Sequence, residues 1–113
     1  FKTAGFAKAA RKARISDVEL CAALAQAMQG QADDLGGGVY KKRLNDNRHR
    51  SLILAKGGRH WIYEFLFAKQ DRANIDDDEL QAFRLLAKSY AGLTDKQLQH
   101  LIDDGHFVEI CHA

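Results

Sequence analysis

An α+β fold is what this sequence predicts. Segments with a helical period and capping signals lie at both ends of the chain, and short apolar strands bounded by glycine turns lie in the middle. The 113 residues fit one domain, taken as 1–113, with no repeats, no low-complexity stretch and no proline.

The first helix is expected over residues 5–14, where Phe6, Ala9, Ala10 and Ala13 recur at helical spacing. Ser16 opens a second helix, and Ser16-Asp17-Val18-Glu19 reads as a capping box. Val18, Cys21, Ala22, Ala25 and Met28 form its expected buried stripe, and Gly30 its stop. The short junction predicts a helix hairpin. Gly36-Gly37-Gly38 then permits a tight approach to a strand at Val39 to Leu44. A second strand is expected from Arg50 to Lys56, a turn at Lys56-Gly57-Gly58-Arg59, and a third strand from His60 to Ala68. Trp61, Tyr63, Phe65 and Phe67 are expected to share one face of that strand as a core stripe. Ile62 and Leu66 make the other face apolar too, which predicts a central position in the sheet.

Asp76 to Glu79 place acid at the start of a third helix, where it meets the helix dipole. Leu80, Phe83, Ala87 and Tyr90 are its inward stripe, and Gly92 its end. Thr94-Asp95-Lys96-Gln97 is a further capping box, opening a fourth helix with Leu98, Leu101 and Ile102 inward and Gly105 after it. Phe107 to Ile110 reads as a last short strand or an extended tail.

Composition excludes some classes. No apolar run approaches the ~20 residues needed to span a bilayer, and residues 1–14 lack a signal-peptide pattern. Cys21 sits among alanines and leucines and reads as a small buried hydrophobe. Two widely spaced cysteines make neither a disulfide framework nor a zinc site, so reduced thiols in the cytoplasm are expected. P-loop, G-x-S-x-G and dinucleotide patterns are absent, His100, His106 and His112 have no ligand-like spacing, and no metal or cofactor is expected.

The net charge of +2 hides a strong segregation. Residues 1–14 carry five bases and no acid, and residues 38–72 carry nine bases against three acids. Residues 73–113 carry eight acids against three bases. A basic block of this kind is a footprint for a polyanion, or else the solvated side of a sheet. Alternation along the first long strand puts Lys41 and Arg43 on one face and Lys42 on the other. Arg50 opens the next strand, Lys69 and Arg72 follow the third, and Arg48 and His49 lie in the turn between the first two. If the strands are neighbours, these bases converge on one edge. Fixed cations around a phosphate suit RNA cleavage without metal, because they stabilise the charge that builds as the 2′-hydroxyl attacks. His49 is the histidine within the cluster, and otherwise an exposed turn residue. Tyr40 is the more open of two candidates for stacking on a base, the other being Trp61.

The order of elements is similar to that of the RelE/ParE superfamily of toxins, and more closely resembles the HigB-like RelE toxins. The segments that carry the resemblance are FKTAGFAKAARKARISDVELCAAL at 1–24, DLGGGVYKKRL at 34–44 and FAKQDRANIDDDEL at 67–80. The resemblance implies two N-terminal helices packed on a small twisted antiparallel sheet, with C-terminal helices. It implies a toxin of a type II toxin–antitoxin system, a ribosome-dependent mRNA endonuclease that inhibits translation without metal. Its partners would be a cognate helix-turn-helix antitoxin, the ribosome and mRNA, and operator DNA only together with the antitoxin. By motif position Lys41, Arg43, Arg50, Lys69 and Arg72 would be catalytic, with Tyr40, Lys42, Arg48 and His49 on the RNA. The position after Lys69 is Gln70, where the RelE type has a catalytic arginine. Two other readings stay open: a ParE-like inhibitor of DNA gyrase without nuclease activity, and a nucleic-acid-binding domain without catalysis.

Overall fold

The computed structural model describes residues 1–55 and 60–111. Along the chain come β1 (Lys2–Thr3), α1 (Ala4–Lys12), α2 (Asp17–Met28), β2 (Asp33–Asp34), β3 (Val39–Leu44) and β4 (His49–Leu54). They are followed by β5 (Ile62–Ala68), α3 (Asp77–Ala91), α4 (Asp95–Asp103) and β6 (Phe107–Val108). The α+β class is as expected, with β3 spanning the predicted residues. The expected turn at Lys56-Gly57-Gly58-Arg59 lies outside the described residues.

The strands form one sheet in the order β2-β3-β4-β5-β1-β6. Only the β1–β5 pair is parallel among the described pairings, with Lys2 opposite Tyr63. β5 is therefore interior, as its apolar faces predict. β4 is buried on both sides. Ile53 packs into a cluster with Phe6, Leu20, Leu24 and Tyr63, from the side of α1 and α2. Leu52 and Leu54 pack with Val39 and Ala87, from the side of α3. A third cluster joins Ile62, Leu98 and Phe107 under α4 and β6.

Three local expectations are overturned. The first concerns α2. Leu20, Ala23, Leu24 and Ala27 are its buried residues, while Val18 is 81% exposed and Met28 59% exposed. The helix is apolar on both sides, so periodicity alone does not choose the inner one, and the leucines win because each buries more carbon than an alanine. The second concerns β5. The register steps from Leu52 opposite Phe65 to Ile53 opposite Tyr63, which leaves Glu64 as the extra residue of a β-bulge. Alternation reverses there. Tyr63 packs with Phe6 on the side of α1 and α2, whereas Phe65 stacks on Phe83 of α3. The odd residues do not share a face. Third, Cys21 and Cys111 are joined in a disulfide. The free buried thiol expected at Cys21 is replaced by a link between α2 and the segment after β6.

The capping box expected at Thr94 forms, and two further caps join it. Asp76 with Glu79 and Thr94 with Gln97 form reciprocal capping boxes, and Thr3 caps α1. At α2 only half of the expected box forms. Ser16 Oγ accepts from the Glu19 N–H at 3.2 Å, but the Glu19 carboxylate accepts instead from the backbone N–H of Asn45, across the fold. No helix among the described residues is long and apolar enough to cross a membrane.

Candidate functional site

The turn from β3 to β4 is built from Asn45, Asp46 and Asn47, with φ of 55°, 52° and 69°. Three successive non-glycine residues in the left-handed region are strained, and asparagine and aspartate are the side chains that tolerate it best. Anchors hold the turn from both sides. The Arg48 N–H donates to the Asn45 carbonyl at 3.1 Å. Arg50 Nη1 donates to the carbonyls of Asn47 and His49 at 3.0 and 3.2 Å. Glu19 holds the Asn45 N–H from α2.

Two clefts open beside this turn. One of about 750 Å³ is lined by Ala13, residues 45–49, Ala68, Lys69 and Gln70. A second of about 520 Å³ shares Ala13, His49, Ala68 and Gln70 and continues along Lys12, Asp71 and Arg72. His49 is thus common to both. Four cations (Lys12, Arg48, Lys69 and Arg72) meet two carboxylates, Asp46 and Asp71, along these walls. Lys69 is exposed, and its backbone N–H donates to the Arg48 carbonyl at 2.9 Å, which fixes the end of β5 against the turn.

The sequence-predicted residues are divided between the two faces of the sheet. Lys41, Arg43 and Arg50 are on the face that carries α3, because they alternate with Val39 and Leu52, which pack there. Arg43 lies directly opposite Arg50. Like charges in that position repel, and the repulsion is eased because the Arg50 guanidinium rests on two carbonyls and the residue is only 8% exposed. Lys41 Nζ lies 3.9 Å from the Asp33 carboxylate. Tyr40, Lys42 and His49 are on the other face, with Leu44. Lys42 Nζ donates to the Gln31 carbonyl at 2.8 Å. Tyr40 is half-buried, its ring centroid 5.2 Å from that of Trp61. The expected convergence on one edge is therefore only partial: Arg48, His49, Lys69 and Arg72 line the clefts beside the turn, whereas Lys41, Lys42 and Arg43 line a separate cleft with residues 30–33.

Arg72 is not free in the way its position in the sequence suggests. Its guanidinium makes a two-pronged bond with the Glu79 carboxylate and lies 5.7 Å from the centroid of Phe67. Hydrogen bonding from Arg72 holds the Glu79 carboxyl down at about 2, and the same bond raises the arginine. Glu79 also caps α3, so one carboxylate serves both the helix start and the cation beside the cleft.

Two participants escaped the sequence reading. Asn45 hydrogen-bonds both Arg48 and His49, and an Asn-Asp-Asn run reads in sequence only as a turn. Arg84 of α3 reaches the glycine loop, with Nη2 donating to the Leu35 carbonyl and its side chain lying over Gly37. The Gly37 φ of +64° and the closeness of Arg84 explain why that position carries no side chain.

A family model described as the RelE toxin of the RelE/RelB toxin–antitoxin system matches residues 1–110. Comparison with curated proteins and with solved structures gives no match. The family match spans all ten elements of an α+β fold whose helix order and central antiparallel strands are those the resemblance implied. The chain therefore belongs to the RelE toxin family, whose members are the toxin partners of toxin–antitoxin pairs.

Proposed function

We propose that this toxin is a ribosome-dependent mRNA endonuclease that inhibits translation in the cytoplasm, with residues 1–113 as one toxin domain. The observation that carries the reading is the pair of adjoining clefts at the β3–β4 turn, walled by Lys12, Arg48, His49, Lys69 and Arg72. Cations held on strand ends in a cleft are what a phosphodiester needs as its charge grows in the transition state.

In the proposed reaction the 2′-hydroxyl of one nucleotide attacks the adjacent phosphorus. Its proton leaves to a base, the bond to the 5′-oxygen breaks, and that oxygen takes up a proton. The products are a cyclic phosphate and a 5′-hydroxyl, and the atoms balance without a cofactor. Lys69 and Arg48 are the cations on the cleft wall. Lys41 and Arg43 extend the positive field over the neighbouring sheet face, beside a further cleft of about 440 Å³ that Lys42 also lines. Arg50 contributes charge and holds the turn. Arg72 acts from its pair with Glu79, and Tyr40 offers the edge of an aromatic plate. Gln70, in the place of an arginine, lines both clefts as an uncharged hydrogen-bonding side chain. Within the family the HigB-like type is the closest reading. The expected partner is then a helix-turn-helix antitoxin, with operator DNA bound only by the pair.

The test is primer extension on mRNA from cells expressing the chain briefly, beside purified protein on naked RNA. Discrete cuts in translated frames, absent on naked RNA, are expected. Growth arrest without cuts points to a gyrase inhibitor. An absence of both arrest and cuts overturns the assignment of this chain as an active nuclease and leaves an inactive copy or a binding module.

A further inference from the structure

The side-chain amide of Asn45 lies between two groups of the cleft wall. Its Oδ1 accepts from Arg48 Nη2 at 3.0 Å, and its Nδ2 lies 3.1 Å from His49 Nδ1. The orientation of the amide follows from the arginine. A guanidinium has donors only, so the amide oxygen must face it, and the amide NH2 is left facing the imidazole. Two N–H donors do not face each other at hydrogen-bond distance. His49 Nδ1 is therefore the acceptor, and in the neutral ring the proton sits on Nε2.

We infer that Asn45 is a positioning residue that fixes His49 in the Nε2–H tautomer, making His49 a hydrogen-bond donor to a phosphate oxygen of the bound RNA strand. This inference rests on the nuclease reading for its substrate, but its geometry stands apart from it. In this tautomer Nε2 has no lone pair with which to take a proton from the 2′-hydroxyl, so His49 is a phosphate ligand and not the general base. Arg48 and His49 present donors from the same wall, and one amide sets both. The amide is itself held from behind. Asn45 has a left-handed backbone, and its N–H is bound by the Glu19 carboxylate. This gives a physical reason for the half-formed box at the start of α2: Glu19 anchors the turn in place of its own N-cap.

The test uses the full chain labelled with ¹⁵N. Two-bond correlation of the His49 ring in mildly alkaline buffer is expected to show protonated Nε2 and bare Nδ1. In Asn45→Asp, which keeps a side chain tolerant of positive φ, a carboxylate accepts in place of the donating amide. The proton is then expected on Nδ1.

Binding is read with a short 2′-O-methyl RNA, which cannot be cut by 2′-attack. Asn45→Asp is expected to weaken it about tenfold, the size of a lost hydrogen bond to a charged group. On a His49→Ala background the same change is expected to cost well under tenfold, because only the added charge is left to act. A wild-type ring protonated on Nδ1, an unmoved tautomer in Asn45→Asp, or a full further tenfold loss on the His49→Ala background overturns the inference. The last outcome would mark the added charge as the cause. Asn45→Gly, which suits the backbone and adds no charge, separates a collapsed turn from a lost amide: folded but weaker binding is expected, and undiminished binding overturns the proposal. None of these readouts needs cleavage. Absence of cuts in translated mRNA with the tautomer and binding results intact removes the nuclease reading and leaves Asn45 its role.

Discussion

The phenol of Tyr63, in the middle of β5, donates its proton to the backbone carbonyl of Leu20 in α2 at 2.7 Å. The pair joins the sheet to the helix at a point where Tyr63, Leu20 and Phe6 are almost fully buried. Tyr63→Phe is expected to cost about 1–2 kcal/mol, as for a single buried hydrogen bond. A urea titration with an unchanged slope and a lowered midpoint would show it.

The same tyrosine makes alkaline stability predictable. Burial, and next the charge of Glu19, push the Tyr63 phenol above its ordinary value of 10.0, and burial beside Glu64 does the same for Tyr90. The unfolded chain gives up these protons near pH 10 while the folded chain keeps them. Stability then falls as pH rises past 10. Phenolate absorbance of Tyr63 and Tyr90 is expected to appear together with unfolding, and Tyr63→Phe should flatten the pH dependence.

Arg72 and Glu79 set the acid side. The Glu79 carboxyl is depressed to about 2 from an ordinary 4.5. Stability from the pair is present in full above the unfolded value and is lost as pH falls from there towards 2. A carboxyl-carbon NMR titration is expected to find Glu79 as a late-protonating acid, and Arg72→Gln to return it towards the ordinary range.

Two glycines with positive φ give a paired comparison. Gly30→Ala meets open space, so only its φ of +88° opposes the change, at about 1–2 kcal/mol. At Gly37 the added carbon would also lie 2.7 Å from Arg84 Cγ. Gly37→Ala is expected to lower the thermal midpoint further than Gly30→Ala does, and Arg84→Ala in the same chain to recover part of the difference.

RNA binding should follow the charges around the turn. Lys69→Gln and Arg43→Gln are each expected to reduce the slope of log affinity against log salt by about 0.7, the share of one phosphate contact on a single strand. An unchanged slope for Arg43→Gln would confine the RNA to the clefts beside His49.

Much of the fold is legible in the sequence because its signals are local. Asp76 with Glu79 and Thr94 with Gln97 cap within four residues, and β3 alternates over its whole length. The failures share a different cause. Which side of α2 is buried depends on the sheet beneath it, and Val18 and Met28 satisfy the helical period as well as Leu20 and Leu24 do. The bulge at Glu64 is set by pairing with β4. Of the site, the positions of the bases along the strands were readable, since alternation is a local rule. Their division between two faces, the engagement of Arg72 by Glu79, and the bridging place of Asn45 depend on residues that meet only in the folded chain.

The disulfide offers a direct measurement of stability. Closing a loop of nearly a hundred residues is worth roughly 4–5 kcal/mol in the chain-entropy account, so Cys21→Ser with Cys111→Ser is expected to lose most of that in a denaturant titration. Cytoplasmic thiols favour reduction. Alkylation of rapidly quenched cells, followed by mass measurement, would give the bonded fraction where the toxin acts.

The bond between Cys21 and Cys111 also turns residues 21–111 into a closed covalent circle, with β1, α1 and the first turn of α2 on the stretch of chain that leads into it. A protease that cuts once anywhere inside that circle opens it without releasing a fragment. The nicked chain would keep its mass, but for one added water, until a reductant is supplied. A two-piece toxin of this kind can persist after cleavage that would dismantle an open chain, and the same cut after reduction would let the pieces part.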